Sequence, residues 1–181
     1  MRRGAAAAGT SAFLAAVPGT VAGLVPWLLT RWESGEPPPP LAVRLVGGVL
    51  VLLGGSALLV AFVRFVGEGR GTPAPVAPTE ELVVGGPYRY VRNPMYVAVV
   101  ALVLGQALLL GRLVLLAYAL VTWATTAAFV RGYEEPTLLA RYGEQYEAYR
   151  AAVPAWLPRL TPWRGGASAP RPSRPPAGTP T

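Results

Sequence analysis

The sequence predicts an all-α integral membrane fold, with about four transmembrane helices followed by a C-terminal amphipathic helix on the cytoplasmic side. Three observations predict it. Of the 181 residues, 52% are hydrophobic, and the mean hydropathy of +0.40 is too high for an ordinary soluble domain. Four apolar runs each approach the length that crosses a hydrocarbon core. Beyond the fourth, apolar side chains recur at helical spacing among charged ones.

The first run covers about residues 5–29 and contains Pro18 and Pro26. Its Met1-Arg2-Arg3 start and small residues also resemble a signal peptide. The run is long for that purpose and continues past any plausible cleavage point, so a retained helix is expected. Glu33-Ser34-Gly35-Glu36 and the prolines from Pro37 to Pro40 form a stiff external turn. The second run, about 41–66, carries Arg44 and Arg64 near its two ends, where long side chains can reach the interface. These two N-terminal helices, residues 1–66, carry no motif.

A Gly- and Pro-rich connection from residue 67 to about 92 follows, and it is too long for an idle turn. The third run, about 94–110, meets the fourth, about 113–130, at a tight Gly111-Arg112 turn. A hairpin of short spans beside a polar cluster points to a site. Over residues 136–152 the pattern turns amphipathic. Leu138, Tyr142, Tyr146, Tyr149 and Val153 share one face, while Arg141, Glu144, Gln145 and Arg150 lie mainly elsewhere. This spacing predicts an interfacial helix. Residues 67–160 form the functional core on this reading, and the Pro- and Arg-rich segment 161–181 is expected to be a disordered tail.

Composition narrows the chemistry. The chain has no Cys, His, Asp or Lys. Disulfides, thiol nucleophiles, ordinary zinc sites, Ser-His-Asp triads and Schiff bases are therefore excluded, and no metal is expected. All sixteen cations are Arg and all nine anions are Glu, as in a chain whose codons favour GC. A net charge of +7 beside apolar spans is better explained by topology and anionic lipid than by nucleic acid. With four spans, thirteen arginines fall on the side of both termini and the middle loop, against Arg31, Arg44 and Arg112 on the other. Both termini, the middle loop and the amphipathic helix are expected in the cytoplasm.

Two polar clusters flank the hairpin. In Arg92-Asn93-Pro94, Asn93 suits an N-cap and Pro94 a first helical position. The same helix start, with Arg89 and Arg92 beside it, could also receive a carboxylate or phosphate. In Glu134-Glu135-Pro136 the carboxylates suit a helix N-terminus, or could hold an ammonium or hydroxyl groups. The tyrosines of 142–149 suit an aromatic interface belt, with Tyr142 or Tyr146 able to close over a pocket. Together these groups fit a ligand bearing a carboxylate, an ammonium and an aromatic base. S-adenosylmethionine has all three, and nucleotides share part of the set.

The order G-P-Y-x-x-x-R-N-P-x-Y, an apolar hairpin, E-E-x-x-L, then Y-G-x-x-Y-x-x-Y resembles the isoprenylcysteine carboxyl methyltransferases and the related phospholipid N-methyltransferases. Gly71-Thr72-Pro73-Ala74-Pro75 and Glu81-Leu82-Val83 resemble bacterial members. The resemblance covers about residues 67–160. It implies a helical membrane bundle in the bacterial inner (plasma) membrane that encloses S-adenosylmethionine at the cytoplasmic face. It also implies roles. Leu82 and Val83 line the cofactor site, and Tyr88 belongs to the G-x-Y element. Asn93, Pro94, Met95 and Tyr96 stand at the cofactor-holding H-P-x-Y element, and Glu134 at the cofactor-binding glutamate. Arg131 lies near a substrate-binding arginine. The family's usual His is Asn93 here, which hydrogen-bonds but does not titrate. Ala98 stands where Gly is common.

The implied activity is S-adenosylmethionine-dependent methyl transfer to a lipid-like or membrane-embedded acceptor, with carboxylate O-methylation favoured because a carboxylate is already a nucleophile. Two other readings stay open at this level: an NADPH-dependent membrane reductase of the sterol reductase type, and a non-catalytic membrane scaffold.

Overall fold

The computed structural model describes residues 16–69 and 82–165, so the Gly71 to Pro75 motif, Glu81 and the end of the tail lie outside the described residues. The described residues hold helices and irregular segments and no strand. Helix α1 is Ala16–Thr30, α2 is Leu41–Gly69, α3 is Pro94–Leu110 and α4 is Leu113–Phe129. The short α5, Glu135–Tyr142, and α6, Glu144–Ala152, follow. Two helices are long and apolar enough to cross a membrane, Leu41–Arg64 and Leu113–Tyr142, and α1 and α3 are shorter apolar helices. By length and composition the first two are candidate membrane spans.

The crossing between α2 and α3 brings their backbones close and is built from small residues. A Cβ on Gly47 would lie 2.7 Å from both Gly105 O and Leu109 N, and one on Gly105 would lie 2.8 Å from Gly47 O. Seven residues along, a Cβ on Gly54 would lie 3.1 Å from Ala98 O and 3.2 Å from Leu102 N. In lipid there is little hydrophobic drive between helices, so close backbone approach supplies the dispersion contact that holds them. The α3–α4 turn is the expected one: Gly111 takes the left-handed conformation (φ 66°) and its N–H reaches Ala107 O. The 33–40 turn closes over this end, with the Gly35 N–H donating to Leu110 O at 2.7 Å.

The fourth helix departs from its predicted length. It does not stop near residue 130 but runs on through a π turn, Val130–Glu134, into α5. The same device occurs in α1, where a π turn, Thr20–Leu24, precedes Pro26 as the second precedes Pro136. A proline ring collides with the carbonyl one turn back and offers no N–H. A widened turn just before it relieves the clash, so the helix continues. In α1 this reroutes the Val25 N–H to Thr20 O. The carbonyls left over are met by other helices: Tyr118 Oη donates to Val21 O at 3.0 Å and Gln106 Nε2 to Ala22 O at 2.8 Å. Trp32 Nε1 in turn donates to Gln106 Oε1 at 3.2 Å. In hydrocarbon, freed carbonyls need such partners. They join α1 to α3 and α4.

The predicted amphipathic helix is two helices. Gly143 (φ 50°, ψ −128°) separates α5 from α6, a conformation that glycine adopts without strain. The predicted face survives the break, but its environment differs from the expected lipid interface. Tyr146, Tyr149 and Val153 are buried against Leu82, Val84, Leu138, Leu139, Tyr142 and Trp163. Their apolar surface is used inside the protein because the 82–84 segment and the chain beyond Val153 fold over it. Trp163, which composition assigns to the tail, stacks at a tilt 5.3 Å from Tyr149.

Candidate functional site

The site lies where the start of α3 meets the π turn of the fourth helix. The chain enters along Leu82–Gly85, makes a 3₁₀ turn at Gly86–Arg89, and starts α3 at Pro94. Gly86 has φ 53°, and a Cβ there would lie 2.9 Å from Arg64 Cγ, so both conformation and space call for glycine. Val83 and Tyr88 are buried with Ala61 of α2, and Met95 packs against them. This small core fixes the entry segment relative to the hairpin. Leu82 sits on the opposite, tyrosine-lined cluster.

Four residues of the two polar clusters meet as pairs. Tyr96 Oη donates to Glu134 Oε1 at 2.6 Å. Arg92 Nη1 donates to Glu135 Oε1 at 2.7 Å and to Tyr146 Oη at 3.2 Å. Arg150 approaches Glu135 Oε2 at 3.8 Å. The Arg92–Glu135 pair is well shielded, with 12% and 15% of the side chains exposed. Shielding strengthens the attraction and raises the cost of losing either partner.

The two neighbouring glutamates therefore differ. Glu135 is neutralised by Arg92. Glu134 accepts a neutral hydroxyl and has no cation within ion-pairing distance among the described residues. Both stand at the end of a π turn whose backbone is already helical, so neither caps an open helix end. A second group is left over nearby: Arg92 Nε is buried and has no acceptor. A partly buried carboxylate without a cation and a buried cationic N–H without an acceptor are complementary to a zwitterionic ligand. The donor set fits the amino-acid end of S-adenosylmethionine in that respect.

Three expectations change at this level. Asn93 occupies the position before α3 but makes no cap hydrogen bond, and its Nδ2 donates to Ala155 O at 3.1 Å. Arg89 does not face the ligand groups, because its Nε donates to Trp163 O at 2.7 Å. Two of the tyrosines expected in an interface belt, Tyr146 and Tyr149, are buried inside the protein instead. Tyr149 Oη donates to Tyr88 O at 2.7 Å, and burial pushes its phenol well above the usual range, keeping it a donor at ordinary pH. Tyr146 is raised by burial too, against the lowering effect of Arg92. Arg131, on the π turn, is exposed. Pro94 is buried at the start of α3.

The segment 153–165 was missed by sequence reasoning as part of the site. It runs along the 89–93 turn: the Arg92 N–H donates to Pro154 O, the Arg159 N–H to Tyr90 O, and the Trp163 N–H to Arg89 O, each at 2.9 Å. Residues 153–160 read as part of the functional core without an assigned site role and 161–165 as tail; the signal for them is the pair Trp156 and Trp163, bulky residues in a Pro- and Arg-rich stretch.

The Asn93 contact has a measurable consequence. If the side chain acted as a cap, Asp would replace it without loss. As a donor to Ala155 O it cannot be replaced by Asp, which puts a carboxylate against a carbonyl. Asn93→Ala is expected to lower stability by about 1 kcal/mol and Asn93→Asp by about 1–3 kcal/mol. Thermal unfolding in detergent checks this, and parent-like stability of Asn93→Asp would restore the cap role.

The fold and site define a helical membrane protein with a polar, charge-complementary site at one end of a hairpin. Residues 43–145 match the model of the phospholipid methyltransferase family, and the chain belongs to that family. It is also similar to the protein-S-isoprenylcysteine O-methyltransferase of Schizosaccharomyces pombe, at 40% identity over 80 residues, 44% of this chain and 34% of that protein. The match thus spans about a third of the relative's length. No solved structure matches the chain.

Proposed function

We propose that the protein transfers a methyl group from S-adenosylmethionine to a lipid-like or membrane-embedded acceptor. The observation that carries this reading is Glu134, a carboxylate held by Tyr96 and left without a cation, beside the orphaned Arg92 Nε. When bound, the cofactor supplies an activated methyl group. Glu134 would hold its ammonium and Arg92 its carboxylate, while Tyr96 keeps the Glu134 carboxylate oriented. Leu82, Val83, Tyr88, Pro94 and Met95 would line the cofactor site and limit water, which favours an in-line displacement that depends on positioning. Asn93 would hold the wall of the site through Ala155. Arg131, exposed beside the glutamates, would meet an anionic acceptor.

Carboxylate O-methylation is the favoured reaction. A carboxylate acceptor needs no base, and neither His nor Lys exists in the chain to act as one. Similarity to the fission yeast protein-S-isoprenylcysteine O-methyltransferase supports the same choice. The topology that accompanies this reading is four spans, α1 to α4, with both termini and the site in the cytoplasm of a bacterial plasma membrane. The arginine asymmetry supports it.

Calorimetric titration of the purified protein tests the function. Saturable binding of S-adenosylmethionine without binding of NADPH is expected. NADPH binding alone would favour a reductase, and binding of neither would leave a scaffold.

A further inference from the structure

The strap over the 89–93 turn is tied at both ends and bulges between them. Its first part is held by Pro154 O and Ala155 O, which accept from Arg92 and Asn93. Its last part is held by the hydrogen bonds of Arg159 and Trp163. Leu157, between these parts, is 79% exposed, and Leu160, between Arg159 and Trp163, is 99% exposed, the two most exposed large apolar side chains of the described residues. A loop fixed so firmly has no evident reason to present two leucines to water.

The neighbours of the bulge give the reason. Trp156 meets Trp123 of α4 edge to face, with ring centroids 6.3 Å apart. Trp123 lies six residues inside the end of α4, or about 9 Å along the axis. Around it, Leu120, Val121 and Phe129 are exposed on the same helix, which is long and apolar enough to span a membrane. The bulge is therefore continuous with the lipid-facing surface of α4. Arg159, the single charge between the leucines, is turned inward: its N–H serves Tyr90 O and its Nη1 serves Ala152 O at 2.8 Å. The tip left facing outward is apolar.

We propose that residues 156–160 form a wedge inserted into the lipid leaflet on the side of the site, with Leu157 and Leu160 in the acyl region and Trp156 at its edge. The wedge sets the depth of the 89–93 turn in the bilayer, because the strap is bonded to that turn residue by residue. It thereby keeps the site level with groups presented by a membrane-embedded acceptor. The inference rests on the membrane topology and not on the identity of the cofactor.

The absence of cysteine makes the test clean. Single variants Leu157→Cys and Leu160→Cys carry a nitroxide label in nanodiscs of phosphatidylcholine and phosphatidylglycerol. Labels at Leu120→Cys and Glu144→Cys serve as lipid and water references, since both positions are exposed. Collision of each label with oxygen, which concentrates in lipid, is compared with collision with a water-soluble nickel chelate. The ratio at 157 and 160 is expected to match that at 120 and to exceed that at 144 several-fold. A ratio like that at 144 overturns the wedge. Shielding from both reagents overturns it too, because a protein partner or a second copy would then cover the bulge. If the label at 120 reads as water-exposed, the membrane topology itself fails and the wedge with it.

Discussion

Glu134→Gln is expected to weaken S-adenosylmethionine binding about ten- to a hundredfold, since a hydrogen bond to a charged group is worth about 1.5–3 kcal/mol. The fold should survive, because the Gln carbonyl still accepts from Tyr96 Oη at the place where Oε1 now does. Glu135→Gln should behave in the opposite way. That carboxylate neutralises Arg92 in a shielded pair, and leaving a buried guanidinium uncompensated typically costs about 3–5 kcal/mol. Calorimetry and thermal unfolding on the two variants therefore separate a ligand-holding glutamate from a structural one. Unchanged cofactor affinity in Glu134→Gln would remove the assignment of Glu134, whatever its effect on stability.

A second large effect is expected far from any ligand. Gly47→Ala places a methyl group 2.7 Å from two backbone atoms of α3, Gly105 O and Leu109 N. Neither atom belongs to a flexible side chain, so the helices must separate. Overpacking of this kind costs about 1–3 kcal/mol. Gly105→Ala should cost as much for the same reason, with Gly47 O at 2.8 Å and Val51 N at 2.9 Å. Gly48→Ala and Gly55→Ala are the internal controls. Their new methyl groups find only side-chain carbons at 3.8 and 3.9 Å, and each should gain up to about 1 kcal/mol from helix propensity. Unfolding midpoints in one detergent would show the contrast. A Gly47→Ala protein as stable as Gly48→Ala would mean that α2 and α3 do not cross at this distance.

Much of the site was legible one residue at a time and little of it in combination. Tyr96 and Glu134 were both singled out, yet nothing local says that one donates to the other across 38 residues of chain. Arg92 and Arg89 look equivalent in sequence, three residues apart and both beside the helix start. In the fold, Arg92 turns to Glu135 and Arg89 to Trp163, 43 and 74 residues away. Asn93 reads as a cap by position, and the nearby Ala155 carbonyl takes its amide instead.

By itself the sequence determined the membrane class, the limits of α3 at Pro94 and Leu110, the Gly111 turn and the shared face of Tyr146, Tyr149 and Val153. These follow from hydropathy, periodicity and backbone preferences, which act within a few turns of chain and are written in neighbouring residues. Only the tertiary structure decided that the fourth helix passes through Pro136, that Gly47 and Gly105 bring two backbones together, and that the tyrosine face closes on protein rather than lipid. Each depends on a partner distant in sequence, and geometry assigns such partners when the helices assemble. The difference between Glu134 and Glu135 belongs to the same set: two adjacent carboxylates of one residue type acquire different chemistry because the guanidiniums of Arg92 and Arg150 reach only Glu135.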